Sequence, residues 1–187
     1  MDVIKNIDKG ILLVINGNHH PILDTFFWIV SSDYFLYPFV FFLLMLDFKK
    51  KALKIHFLFI FLMLLGILIS DQTANIFKNH LVCRLRPSHE PSLEYLLHFV
   101  KDYKGGPYGF YSAHASNSVF ALLLLISFYE IKNYGIRLLS VILILLIGYS
   151  RIYLGVHYPT DILAGWFAGG LIFLVINRLK KYIINHA

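Results

Sequence analysis

Charge is scarce in this sequence. Only 15% of its 187 residues are Asp, Glu, Lys or Arg, against roughly a quarter in an ordinary soluble domain. Cysteine is nearly missing too. Cys83 stands alone, which excludes an intrachain disulfide and leaves the redox compartment unread. The opening residues lack the basic, apolar and small-residue order of a cleaved secretory signal, so membrane insertion is expected to rest on the chain's own spans. No internal repeat or low-complexity linker divides the chain, and a single domain over 1–187 is expected.

What is present is apolar. Hydrophobic residues make up 58% of the chain and aromatics 17%, and the mean hydropathy is +0.66. The fold class expected is all-α, a polytopic transmembrane helix bundle. A helix crosses the hydrocarbon with about 20 mostly apolar residues. The runs 55–77, 112–130, 136–154 and 161–178 meet that length, and "YFLYPFVFFLLMLDF" (34–48) is short but almost purely apolar. "PILDTFFWIV" (21–30) is too short to cross alone and reads as a partial or interfacial helix, or as the start of one kinked span over 21–48. Five or six membrane helices are expected. The opening "MDVIKNIDKGILLVING" alternates charges with aliphatics at helical spacing and predicts an amphipathic surface helix.

The net charge of +6 could suggest nucleic acid, but the basic residues fall at the ends of apolar runs. That pattern belongs to membrane topology, and no nucleic-acid partner is expected. "FKKKALK" (48–54), "IKNYGIR" (131–137) and "NRLKKYI" (177–183) separate alternate pairs of spans and mark the cytoplasmic face. The loop 83–110 and the turn 155–160 then share the opposite face. Arg84 and Arg86 break the charge rule on that loop, which a bound ligand explains better than orientation does.

Four span ends converge there, each with polar residues. Asp71, Asn75 and Lys78 fall on one helical face, a polar stripe expected to point into the bundle, with a structural salt bridge as the alternative for Asp71. Ser112 is a good N-cap for the helix beginning at Ala113. The amides of Ala113 and His114 would then face an anion at the positive helix end. "GGPYG" (105–109) lets the backbone approach closely. In "SRIYLGVHYPTD" (150–161), Pro159 suits a first helical turn. Asp161 can then reach one ring nitrogen of His157 and leave the other free and nucleophilic. His19, His20, His56, His80, His89, His98 and His186 lack such settings and read as structural or surface residues. His114, His157 and Asp161 could ligate a metal by residue type. Lys78, Arg86 and Arg151 would repel a metal and welcome phosphate. An oxyanion site is the better reading, with no metal or cofactor expected.

Together these stretches resemble the type 2 phosphatidic acid phosphatase family of membrane lipid phosphatases, which includes undecaprenyl-diphosphatase-like enzymes. The family's third motif is complete in Ser150, Arg151, His157 and Asp161. The second stands as Tyr111-Ser112-Ala113-His114, keeping serine and histidine and replacing proline and glycine. The first contains Arg86-Pro87, with seven residues rather than six after Lys78. On a regular helix an extra residue rotates the later side chains by about 100°, so a bulge or the helix end before Arg84 must absorb it. The motif-bearing core spans 71–170.

The resemblance implies a metal-independent hydrolysis of a terminal lipid phosphate or diphosphate. His157 would form a phosphohistidine, Asp161 hold its tautomer, and His114 act as acid and then base. Lys78, Arg86, Ser112 and Arg151 would bind the phosphoryl oxygens. The partners implied are the lipid substrate and membrane lipids. The place expected is a bacterial plasma (inner) membrane, with the site facing the periplasm or exterior. Vanadium haloperoxidases and glucose-6-phosphatases share these motifs, but the former are soluble and the latter less compatible with so short a chain. A transporter would carry its polar residues mid-span rather than at one face, and a non-catalytic scaffold with an oxyanion pocket is the remaining alternative.

Overall fold

The structure is a computed structural model that describes residues 2–32, 34–36, 38–41 and 52–186. Most of the apolar run 34–48 and Lys49, Lys50 and Lys51 lie outside the described residues, as does the second half of any kinked span over 21–48. Six α-helices order the rest: α1 (Asp2–Gly17), α2 (Pro21–Val30), α3 (Leu53–Ile76), α4 (Ala113–Phe128), α5 (Tyr134–Tyr153) and α6 (Pro159–His186).

Among the described residues, three helical stretches are long and apolar enough to cross a membrane: Leu53–Leu81, Tyr134–Tyr153 and Pro159–His186. Their outward faces carry Phe57, Phe61 and Leu64 on α3 and Leu163, Phe167 and Leu174 on α6, all exposed. Exposure of large apolar side chains at helical spacing is what a lipid-facing surface requires. The run 112–130 is shorter than expected. It yields a 16-residue α4, because the chain turns through Glu130 at φ 51°. α4 is instead the central helix, burying Val119, Phe120, Leu122, Leu124 and Leu125 among its neighbours. Phe59 and Leu62 of α3 and Ile172 and Ile176 of α6 complete that core.

α6 lies against α4 through Gly165 and Gly169, four residues apart on one face. A Cβ on Gly165 would lie 2.5 Å from the Ser112 carbonyl oxygen, and one on Gly169 2.3 Å from that of Ser116. Small residues at this spacing let two backbones touch. The contact fixes the start of α4 beside the start of α6, and so brings the second and third motifs together. At the other end of α4, Lys180 turns inward and donates to the Ser127 carbonyl at 3.1 Å and its hydroxyl at 2.9 Å. One of the charges read as a topology marker therefore also neutralises a helix C-terminus.

α2 follows the expectation of a partial helix, 10 residues capped by His20. α1 is amphipathic but turned contrary to a soluble helix. Val3, Ile4, Ile7, Ile11 and Val14 are exposed, while Asp8, Leu12 and Asn16 are buried. Asn16 ties the helix down, donating to the carbonyls of His98 at 2.9 Å and Tyr153 at 2.7 Å and accepting from the His98 amide at 2.8 Å.

Candidate active site

The site is assembled where the loop 83–112 meets the starts of α4 and α6. Two arms of that loop pair with each other: the Arg86 amide donates to the Pro107 carbonyl and the Gly109 amide to the Arg84 carbonyl, both at 2.9 Å. This clamp sets Arg84 and Arg86 in place. Arg86 is 8% exposed and donates from Nε to the Tyr108 carbonyl at 3.1 Å and from Nη1 to the Val156 carbonyl at 3.5 Å. It is therefore strapped to the backbone directly before His157. Burial and the neighbouring Arg151 push its guanidinium down to about 10, which leaves it charged at neutral pH.

The residue inserted after Lys78 is taken up by the helix itself. Beyond α3 the chain makes one π-helical turn, Phe77–Leu81, closed by the Val82 amide on the Phe77 carbonyl at 2.9 Å. A π-bulge houses one extra residue without rotating the rest of the helix out of register. Lys78, half-buried on this turn, acts electrostatically on His157, as do Arg86, Arg151 and His114. Asp71 is exposed rather than turned into the bundle, and it accepts from the Asn117 side-chain amide at 2.9 Å, a hydrogen bond from an uncharged partner. Asn75 turns away, accepting from Asn79 on its own helix.

Ser112 caps α4 by accepting from the Ala115 amide at 3.4 Å, and its own amide donates to the Asp161 carbonyl at 3.1 Å. His114 lies in the first turn of α4. Arg151, in the last turn of α5, is 3% exposed. Its Nη1 contacts the hydroxyl and carbonyl of Ser31, just past α2, and its buried Nε has no hydrogen-bond partner among the described residues. A buried guanidinium N–H left open beside other cations is poised for an anion.

His157 and Asp161 are 1% and 0% exposed. Nδ1 of His157 stands 3.5 Å from Oδ2 of Asp161, longer than the expected hydrogen bond. The carboxylate is held elsewhere. Oδ2 accepts from the Tyr158 amide at 3.0 Å and Oδ1 from Arg84 Nη1 at 3.0 Å. Gly109 keeps the space above them open, since a Cβ there would come within 3.1 Å of Asp161 Oδ2 and 3.5 Å of His157 Nδ1. Burial first, and then the field of Arg86, Arg151 and Lys78, hold the His157 imidazole well below its ordinary pKa. It is a neutral ring at physiological pH.

The structure thus brings His157, Asp161, Arg86, Arg151, Lys78, Ser112 and His114 to one end of the bundle. Sequence reasoning sets Arg84 aside and misses Asp8 and Ser31, which also make contacts at this end of the bundle. The motif favours Arg86 over Arg84, yet Arg84 bonds directly to Asp161. Asp8 and Ser31 come from segments with no motif, and the buried side of α1 is legible only once its packing partner is known.

Buried cations and a neutral histidine gathered at one end of a helical bundle are an arrangement suited to a phosphate. The chain belongs to the PAP2 superfamily, which it matches over residues 57–184. It is 36% identical over 186 residues to the lipid A 4'-phosphatase of Porphyromonas gingivalis, covering 97% of this chain and 76% of that one. A protein of the same name from Bacteroides thetaiotaomicron is 32% identical over 187 residues, covering 96% and 81%. In fold it is similar to the transmembrane PAP2-type phosphatidylglycerolphosphate phosphatase of Bacillus subtilis, with TM-score 0.71 at 22% identity over 98% of this chain and 89% of that one. The chain is a membrane lipid phosphatase, a phosphoric ester hydrolase of the PAP2 type.

Proposed function

We propose that the chain removes a terminal phosphate monoester from a membrane lipid by two displacements at phosphorus, through a phosphohistidine on His157. The observation that carries this reading is a mostly apolar cavity of about 640 Å³, lined by Val40, Met63, Ile67 and Ala121 and carrying His114 beside Asp71 and Asn117. An anion pocket alone would suit any phosphate. A cavity of mostly hydrocarbon character that carries His114 suits one with a lipid tail on its leaving-group side.

In the first step Nε2 of His157 attacks phosphorus as the bond to the lipid oxygen breaks. His114 gives that oxygen its proton, and the lipid alcohol departs toward the cavity. In the second, water loses a proton to His114 and displaces His157, releasing inorganic phosphate. Arg86, Arg151, Lys78, Ser112 and the first amides of α4 meet the charge spread over the equatorial oxygens. Asp161 orients the ring once the 3.5 Å gap tightens around substrate. Lipid A carrying its 4'-phosphate is the first substrate to test, because two relatives bear that activity in their names.

The test is phosphate release from this and other lipid phosphates in detergent, with EDTA and with vanadate. EDTA should leave the rate unchanged, since cations already fill the role of a metal. Vanadate, which adopts the five-coordinate geometry of phosphoryl transfer, should inhibit competitively. Loss of activity in EDTA with recovery on adding a divalent ion overturns the reading.

The site is proposed to face the periplasm or exterior of a bacterial plasma membrane. Lys54, Lys132, Arg137, Arg178 and Lys181 sit at the helix ends opposite the site residues, which supports this orientation. In a Cys83→Ser background, a cysteine at the exposed Ser92 should react with an impermeant thiol reagent on intact cells, and one at the exposed Lys132 should not. Lys132 is the better cytoplasmic probe because its neighbour Asn133 caps α5. The reverse labelling places the site on the cytoplasmic side.

A further inference from the structure

We propose that Asp8 of the amphipathic helix α1 is a positioning residue for hydrolysis, holding Arg84 and Thr160 so that Asp161 stays aligned behind His157. This rests on the phosphohistidine reading above.

Asp8 is 1% exposed, and a buried carboxylate is strongly unfavourable without a partner. Its partners all belong to the site. Oδ2 accepts from Arg84 Nη2 at 2.7 Å and from the Thr160 hydroxyl, and Oδ1 accepts from the Thr160 amide at 3.0 Å. The other guanidinium nitrogen, Nη1, reaches Asp161 Oδ1 at 3.0 Å and Thr160 Oγ1 at 2.7 Å. Arg84 therefore bridges two carboxylates that lie 153 positions apart in the chain (8 and 161). Its planar group also stacks 3.9 Å over the Tyr158 ring, which leaves it little freedom to swing away.

The charges explain why two acids share one arginine. With Arg84 alone, Asp161 would sit in a neutral pair and present little negative charge to Nδ1 of His157. With Asp8 included, the cluster carries a net charge of −1, one cation against two carboxylates. That surplus stabilises the positive charge that develops on His157 as it attacks. The Thr160 contacts add a positional effect, because Thr160 precedes Asp161 in the first turn of α6.

Anchoring of α1 is the competing explanation, and the structure offers a control for it. Asn16 holds the same helix through His98 and Tyr153 and touches neither Arg84 nor Asp161. Asp8→Asn keeps size and one acceptor but removes the charge. It should lower kcat by about 10- to 100-fold, the range that misplacement of a catalytic group produces, with KM for the lipid phosphate nearly unchanged. Asn16→Ala should lower thermal stability while leaving kcat within about twofold.

A cycle with Arg84→Gln completes the test. Asp8 and Arg84 share one network, so their combined effect on kcat should be smaller than the product of the single effects. The inference is overturned if Asp8→Asn raises KM at constant kcat, if Asn16→Ala reproduces its kinetic defect, or if the cycle is additive. His157→Ala, assayed alongside, separates the two levels. Undiminished turnover there overturns the mechanism itself. An inactive His157→Ala beside an unaltered Asp8→Asn overturns the role of Asp8 alone.

Discussion

His157→Ala is expected to lower turnover by about 10⁴-fold or more, the scale seen when a covalent nucleophile is removed. The protein should still fold, because the packing of α4 on α6 rests on Gly165, Gly169 and the apolar core rather than on the imidazole. Wild-type enzyme quenched in milliseconds with labelled lipid phosphate should carry an acid-labile phosphoryl group, and the variant none. Two features of the site make the nitrogen competent. The ring is kept neutral by burial and by the surrounding cations, so its lone pair is free without prior loss of a proton. Those same cations are proposed to gather the phosphate in front of it. Substantial turnover in the variant would mean that water attacks phosphorus directly, and the buried histidine would need another role.

The second large effect is expected at His114, and it should depend on the substrate. A lipid alcohol is a poor leaving group and needs a proton as the P–O bond breaks, so His114→Gln should slow lipid phosphate hydrolysis by about 10²- to 10⁴-fold. An aryl phosphate such as p-nitrophenyl phosphate leaves without that proton. Its first step should be nearly unaffected, while attack by water on the phosphoenzyme still lacks a base. The variant should then release about one equivalent of nitrophenol in a burst, followed by slow turnover. Equal loss of the first step on both substrates would remove His114 from the leaving-group side. Its place in the lining of the mostly apolar cavity would then reflect lipid binding only.

α1 shows where one-dimensional reading stops. Its charges and aliphatics alternate at helical spacing, and that pattern predicts an amphipathic helix whichever face turns inward. A soluble protein would bury Ile4, Ile7 and Ile11. Here they are exposed and Asp8 and Asn16 are buried, since lipid can take the apolar face while Arg84, Thr160, His98 and Tyr153 supply partners for the polar one. Arg84 and Arg86 pose the same problem. Both are arginines on one loop, and only the pairing of 84–86 with 107–109 sends one to Asp161 and the other beside His157.

The sequence by itself determined the membrane-spanning helical class, the convergence of polar span ends on one face, and the residue types from which an anion site there is proposed. These come from composition, from the length of apolar runs and from spacing along single helices, all of which are local properties. Tertiary structure alone decided how the residue inserted after Lys78 is housed, which arginine serves which partner, how far Asp161 stands from His157, and that α1 contributes to the site. Each of these depends on contacts between segments far apart in the chain. Their geometry is set by the approach of α6 to α4 at Gly165 and Gly169 and by the hydrogen bonds that close the loop 83–112, and no local pattern encodes either.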